Sequence, residues 1–297
     1  MKGPLIKRQR RLNWPGSVLI ILIGITLSGC ASLGFEDVLE IAQKSAPAIQ
    51  KSFEDITPEQ EYYIGRAVAA NILSQYQPFT EAEPTAYLNL MGSTLAFASD
   101  RPETFGGYHF LILDSQEINA FAAPGGLVFI SLGLLACADS EDTVAAILAH
   151  EIAHVVKQHG LQAIKKSRVT SALTSVAIAS AQTAGSDELA KLTTVFEDSI
   201  GDITATLVNS GYSRTFEKEA DLMAVEILQR VGYDPNALVR MLEVMERRLT
   251  PGGLDFAKTH PEPAVRINEI RKVLAQAPAP PVQAERQARY QAALGNL

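Results

Sequence analysis

Apolar positions along this chain follow two spacings. Thr143-Val144-Ala145-Ala146-Ile147-Leu148-Ala149 is a dense apolar run. Glu141 and Asp142 precede it, and Asp139 or Ser140 can cap its start, so a helix is predicted there, with Gly160 placed to end it. A second helix is predicted from Ser213-Arg214-Thr215-Phe216-Glu217 through Met223, Val225, Ile227 and Leu228. Thr57-Pro58-Glu59-Gln60 reads as a helix start, with Thr57 capping, Pro58 in the first turn and Gln60 closing a capping box. Another helix is expected from Pro84 to Ala98. Alternation at period two marks strands at Tyr108–Leu113, Ile118–Ala122 and Leu127–Ser131, with Pro124-Gly125-Gly126 as a turn. His109 falls inside the first strand and reads as structural. These strands are short and hairpin-linked. The expected class is α+β, mainly helical, with a small antiparallel sheet packed beside the helix that begins near residue 141.

The ends of the chain have a different character. Lys2, Lys7, Arg8, Arg10 and Arg11 precede a short apolar core from Val18 to Leu27, briefer than the stretch of about 20 residues that a membrane span needs, and Leu27-Ser28-Gly29-Cys30 follows. This reads as a lipoprotein signal peptide over residues 1–29, with Cys30 acylated and residues 30–54 as a tether. Ala31 and Ser32 follow the cysteine, and the absence of Asp there points to the outer membrane. Residues 161–210 are rich in Ala, Ser and Thr and suggest two helices joined near Ala184-Gly185-Ser186, a candidate lid, with no run of about 18 apolar residues. A Pro-Ala stretch from Ala275 to Pro281 marks the end of a domain covering residues 55–274, and residues 275–297 form a polar, helix-prone tail.

Charge narrows the partners. The full chain carries a net −7; without residues 1–29 it holds 21 basic residues against 33 acidic, a net −12. That balance argues against nucleic acid and against electrostatic adhesion to anionic lipid. The two cysteines are Cys30 and Cys137. With Cys30 acylated, no intrachain disulfide forms, and Cys137, among Leu134, Leu135 and Ala136, reads as a buried thiol.

The chemistry sits in the first helix described. His150-Glu151-Ile152-Ala153-His154 spells H-E-x-x-H in a chain with five histidines. On a helix, positions four apart lie nearly one above the other, so both imidazoles share a face and can hold one zinc ion, while Glu151 can take a proton from the attacking water. Zinc needs a third protein ligand and an open position. The extended H-E-x-x-H-x-x-G-x-x-H pattern fails, because Lys157 and Gly160 stand where Gly and His are required. His159 falls one residue early and reads as a cation at the helix C-terminus. A carboxylate from the later helix is the other candidate. Glu217 and Asp221 share a face there, whereas Glu219 is turned about 200° from Glu217. Glu217 is the expected third ligand, and Asp221 the acceptor for the far nitrogen of a ligating histidine.

HEIAH, SRTFEKEAD and THPEPAVRI, together with Asn119-Ala120-Phe121-Ala122-Ala123-Pro124-Gly125-Gly126, resemble the HtpX and CAAX-prenyl-protease kind of gluzincin metallopeptidase over about residues 55–272. Many such proteins are polytopic in membranes. This chain departs from them and is more similar to the periplasmic lipoprotein members, although it carries no repeat array such as follows the protease in some of them. The resemblance implies His150, His154 and Glu217 as ligands of one zinc per chain, Glu151 as general base, and an extended substrate lying along an edge strand at Asn119, Ala120 and Phe121. It also implies that His260, in Thr259-His260-Pro261, can reach the metal and gate the water position. Arg266 is a candidate for steadying the oxyanion or binding substrate carboxylates, and equally for a salt bridge on the last helix.

The expected protein is thus a zinc endopeptidase at the outer membrane, facing the periplasm and cleaving misfolded or mis-assembled envelope proteins. The alternative is an assembly factor or chaperone with latent or absent protease activity. Nothing in the sequence identifies the amine-reading site that an aminopeptidase needs.

Overall fold

The helix that carries His150 is apolar on every side, and the rest of the protein is arranged around it. In the computed structural model, which describes residues 56–162, 200–201, 203–248, 260, 263–274 and 283–297, the helices are α1 (Pro58–Leu73), α2 (Ala82–Phe97), α3 (Leu132–Leu135), α4 (Glu141–Val156), α5 (Arg214–Val231), α6 (Asn236–Arg248), α7 (Pro263–Leu274) and α8 (Ala284–Leu294). The strands are β1 (His109–Leu113), β2 (Ala120–Ala123) and β3 (Leu127–Ser131). The signal segment, Cys30, the tether, most of the candidate lid and the Pro-Ala stretch lie outside the described residues.

Every residue of α4 from Thr143 to Val155 is buried. A helix apolar all round belongs in a core. Fully burying side chains such as Ile147, Leu148 and Ile152 contributes about 1.5–3 kcal/mol each. Helix α5 makes the most extensive contact with α4. It buries Ala220, Met223, Ala224, Ile227 and Leu228 on one face and leaves Lys218 and Glu226 outside, as its sequence period requires. Ser213 caps its start and Gly232, at φ 83°, ends it in the left-handed region.

The sheet has the order β1-β3-β2, and here the structure departs from the sequence expectation. β2 and β3 form the expected antiparallel hairpin, but β1 pairs with β3 in parallel, so the sheet is mixed. The reason is burial. Leu127-Val128-Phe129-Ile130 is apolar at every position, and such a strand takes the centre. The link 114–119 must then cross two strand spacings, about 9.6 Å, within easy reach of six residues. It passes over Gly133, where a Cβ would lie 2.2 Å from the Gln116 carbonyl oxygen. Alternation sends Phe110, Ile112, Ala122, Val128 and Ile130 towards α2 and α4, and Leu113, Phe121, Ala123 and Phe129 towards α1, Ile200, Ile203, Leu207 and Tyr212.

Thr57 and Gln60 form the expected capping box of α1. That helix then clamps the β2–β3 turn. Glu61, buried and held by both Arg101 NH groups, accepts the Gly125 N–H at 3.1 Å. A Cβ at Gly65 would meet the Pro124 carbonyl oxygen at 1.8 Å, so only glycine allows this approach.

Helix α8, read from sequence as a polar tail, packs against the start of α4. Glu141, buried in the first turn of α4, accepts hydrogen bonds from Tyr87 of α2 (3.1 Å), Tyr233 after α5 (3.0 Å) and Arg289 of α8 (3.0 Å). One carboxylate joins three elements to α4. Glu141→Ala strands two phenols and a guanidinium, and should lower stability by about 3 kcal/mol in urea titration. A loss below about 1 kcal/mol would show that these bonds merely replace hydration.

Candidate active site

Ser140 caps α4 by accepting the Thr143 N–H, as expected of one of the two candidate caps. The helix runs regularly through both histidines. Its end differs from expectation. Gln158, at φ 55°, makes the reversal, and Gly160 instead sits against Pro124, where a Cβ would come within 3.1 Å of the ring. The early reversal turns His159 back under α4 rather than out to solvent.

His150, His154, Glu217 and His260 bring their donor atoms within 4.8 Å of one another, all buried. His150 Nε2 lies 3.1 Å from His154 Nε2, 3.5 Å from Glu217 Oε2 and 3.3 Å from His260 Nδ1. His154 Nε2 is 3.5 Å from Glu217 Oε1, and His260 Nδ1 is 3.1 Å from both Glu217 oxygens. Two imidazole nitrogens facing each other at such distances repel unless a proton or a cation lies between them. Bonds of about 2.0–2.1 Å to a tetrahedral zinc separate its ligand atoms by about 3.3–3.4 Å, so this donor set fits zinc. His150, His154 and Glu217 are its holders.

Each ligand is oriented from behind. Asp221 Oδ1 meets His150 Nδ1 at 3.1 Å, the partnership expected from the shared face of α5. Arg266 of α7 is buried and donates from Nε (2.9 Å) and NH2 (2.7 Å) to Asp221, while its NH1 lies 2.9 Å from Glu217 Oε2 as an ion pair. Of the two roles that the sequence left open for Arg266, this geometry matches the salt bridge. Burial alone would raise the Glu217 carboxyl, but His260 and Arg266 outweigh it and hold it well below the usual range. Burial and Arg266 depress His150, yet its hydrogen bonds to the carboxylates of Asp221 and Glu217 carry it up to about 9. Burial holds His154 well below the ordinary histidine value.

Glu151 differs from these groups. Its carboxylate is 1% exposed, and neither oxygen has a hydrogen-bond partner among the described residues. Burial pushes it up. A buried carboxylate that accepts no hydrogen bond, with His260 Nε2 3.9 Å from its Oε1, is arranged to receive a proton.

His159 corrects the sequence reading of a C-terminal cation. It is fully buried and outside the ligand cluster. Its Nδ1 lies 2.9 Å from His154 Nδ1, and its Nε2 lies 3.2 Å from Glu219 Oε2. Its ring stacks on Phe216, as His154 does on Tyr212, each at 4.3 Å. Glu219 faces away from the metal, as its helical angle predicts, but towards His159. Asn119, Ala120 and Phe121 are buried, and β2 is an outer strand packed on α4. His109 is exposed on β1, with Nε2 2.8 Å from the Gly106 carbonyl oxygen, and Cys137 is buried. No described helix is long and apolar enough to cross a membrane.

Residues 82–274 match the family model described as Peptidase family M48. Among curated proteins, the chain is 30% identical over 194 residues to the beta-barrel assembly-enhancing protease of Escherichia coli, covering 63% of this chain and 38% of that protein. It is 28% identical over 237 residues to the mitochondrial metalloendopeptidase OMA1 of Schizosaccharomyces pombe, covering 77% of this chain and 65% of that one. It is 30% identical over 230 residues to a putative beta-barrel assembly-enhancing protease of Vibrio cholerae, covering 75% and 46%. The chain therefore spans less than two thirds of the length of each of these relatives. On the family match and the ligand geometry together, this chain belongs to peptidase family M48 and is a zinc metallopeptidase.

Proposed function

We propose that the protein is an endopeptidase tethered to the outer membrane through acylated Cys30, facing the periplasm and cleaving misfolded or mis-assembled envelope proteins. The observation that carries the peptide-hydrolysis reading is the buried carboxylate of Glu151, which accepts no hydrogen bond from the described residues, beside the ligand cluster. The lipobox Leu27-Ser28-Gly29-Cys30 supports the location, and the names of the bacterial relatives, proteases that enhance β-barrel assembly, support a role in envelope-protein quality control.

Bound zinc would supply a Lewis acid for the scissile carbonyl and would acidify the attacking water. Glu151 takes the water's proton and returns it to the leaving amine. Asp221 and Arg266 hold His150 and Glu217 in register, so the arginine acts on the ligands and not on the substrate. An extended peptide adds to the outer strand at Asn119, Ala120 and Phe121 by backbone hydrogen bonding, which tolerates many sequences.

His260 supports latency. Its Nδ1 stands among the ligand atoms, where it competes for the position that water needs. Substrate or a partner must displace it. His260→Ala should raise basal cleavage of unfolded protein several-fold; unchanged or lower cleavage refutes gating. The same filled position favours a second reading, an assembly factor whose proteolysis is dispensable. Mass spectrometry of peptides released from an unfolded outer-membrane protein, comparing wild type with Glu151→Gln, separates the two. Peptides present only with wild type support the peptidase, while full biological function in Glu151→Gln favours the assembly factor.

A further inference from the structure

We propose that His159 and Glu219 are positioning residues for the zinc ligand His154, linked as a relay that runs from the metal-binding imidazole through a second imidazole to a carboxylate at the surface. The inference rests on His154 being a ligand.

The relay follows from hydrogen-bond bookkeeping. His154 presents Nε2 to His150 and Glu217, so its proton must sit on Nδ1. At 2.9 Å from that nitrogen lies His159 Nδ1, which can accept only if it is unprotonated. The His159 proton is then on Nε2, which donates to Glu219 Oε2 at 3.2 Å. One set of tautomers satisfies all three groups while His159 stays neutral. His159 is fully buried and has no freedom to choose another. Phe216 stacks on its ring at 9° between planes, and Tyr212 stacks on His154 at 16°. The left-handed Gln158 sets the backbone turn that aims His159 at His154 rather than at solvent.

The two ligating histidines are thus supported differently. His150 meets a carboxylate directly, in Asp221, which is buried and matched by Arg266. His154 reaches its carboxylate through one intermediate ring, and the Glu219 side chain is 45% exposed. A carboxylate behind a ligand raises its basicity and fixes its ring. Relayed through His159, that effect makes a half-exposed carboxylate a determinant of metal affinity.

Zinc affinity of the full chain, measured by competition with a chromophoric chelator, tests this without reference to turnover. His159→Phe keeps the stack on Phe216 but removes the acceptor, and should weaken zinc binding about 10–100-fold. His159→Asn returns an acceptor oxygen at the δ1 position and should recover most of the affinity. Glu219→Gln removes only the charge, on a half-exposed side chain, and should weaken binding about 10-fold. A merely structural histidine predicts otherwise: Phe would keep wild-type affinity, or Asn and Phe would weaken it equally. Either result overturns the relay. Should His159→Phe fail to fold, Glu219→Gln decides alone, with unchanged affinity refuting the proposal.

Discussion

Replacing Glu151 with Gln is expected to lower peptide hydrolysis by about 10³-fold, within the range that a positioned general base contributes. Gln keeps the volume and shape of the side chain but cannot take a proton. The substitution should cost little elsewhere, because Glu151 accepts no hydrogen bond from any described residue, its ion pair with His260 is long at 3.9 Å, and burial already disfavours its charge. Zinc content and thermal midpoint should therefore match wild type. The measurement is release of new amino termini from an unfolded protein, with zinc determined on the same preparation. Turnover above about a tenth of wild type would remove Glu151 from the role assigned to it.

Glu217→Gln should behave in the opposite way, losing the metal first and activity as a result. Among the described residues Glu217 is the one carboxylate in the donor cluster, and it lies 3.5 Å from both Nε2 atoms of the ligating imidazoles. Losing a group that merely supports a ligand weakens metal binding about 10–100-fold, and losing the anionic ligand itself should exceed that. The metal-free protein should suffer too. Arg266 NH1 would face a neutral amide in a buried site, at a cost of about 3 kcal/mol, held to the lower end of the range because Asp221 still pairs with the guanidinium. Dialysis against chelator followed by metal analysis checks the first effect, and urea denaturation of the metal-free variant checks the second. Stoichiometric zinc surviving dialysis would mean that His150, His154 and His260 suffice, and that the carboxylate has another purpose.

These two glutamates also mark what was legible in the chain. His150, Glu151 and His154 could be read without a fold, because four residues of helix fix their mutual geometry. Glu217 and Asp221 could be paired by the same rule on another helix, and the angular offset of Glu219 was correctly read as facing away from them. His159 could not be placed. Its fate hangs on the conformation of Gln158, a non-glycine residue in the left-handed region, for which the sequence carries little signal. Arg266 was not legible either, because only the packing of α7 lays its guanidinium across Glu217 and Asp221.

By itself, the sequence determined everything set by local periodicity: the helical register that stacks two imidazoles, the carboxylate facing them from α5, the capping of α1 and α4, and the strands with their turn. Only the tertiary structure decided which strand lies in the middle, that β1 and β3 run in parallel, that α8 closes on Glu141, and that His159 links His154 to Glu219. Those features depend on which surfaces exclude water together, and burial between segments distant in the chain leaves no period to read.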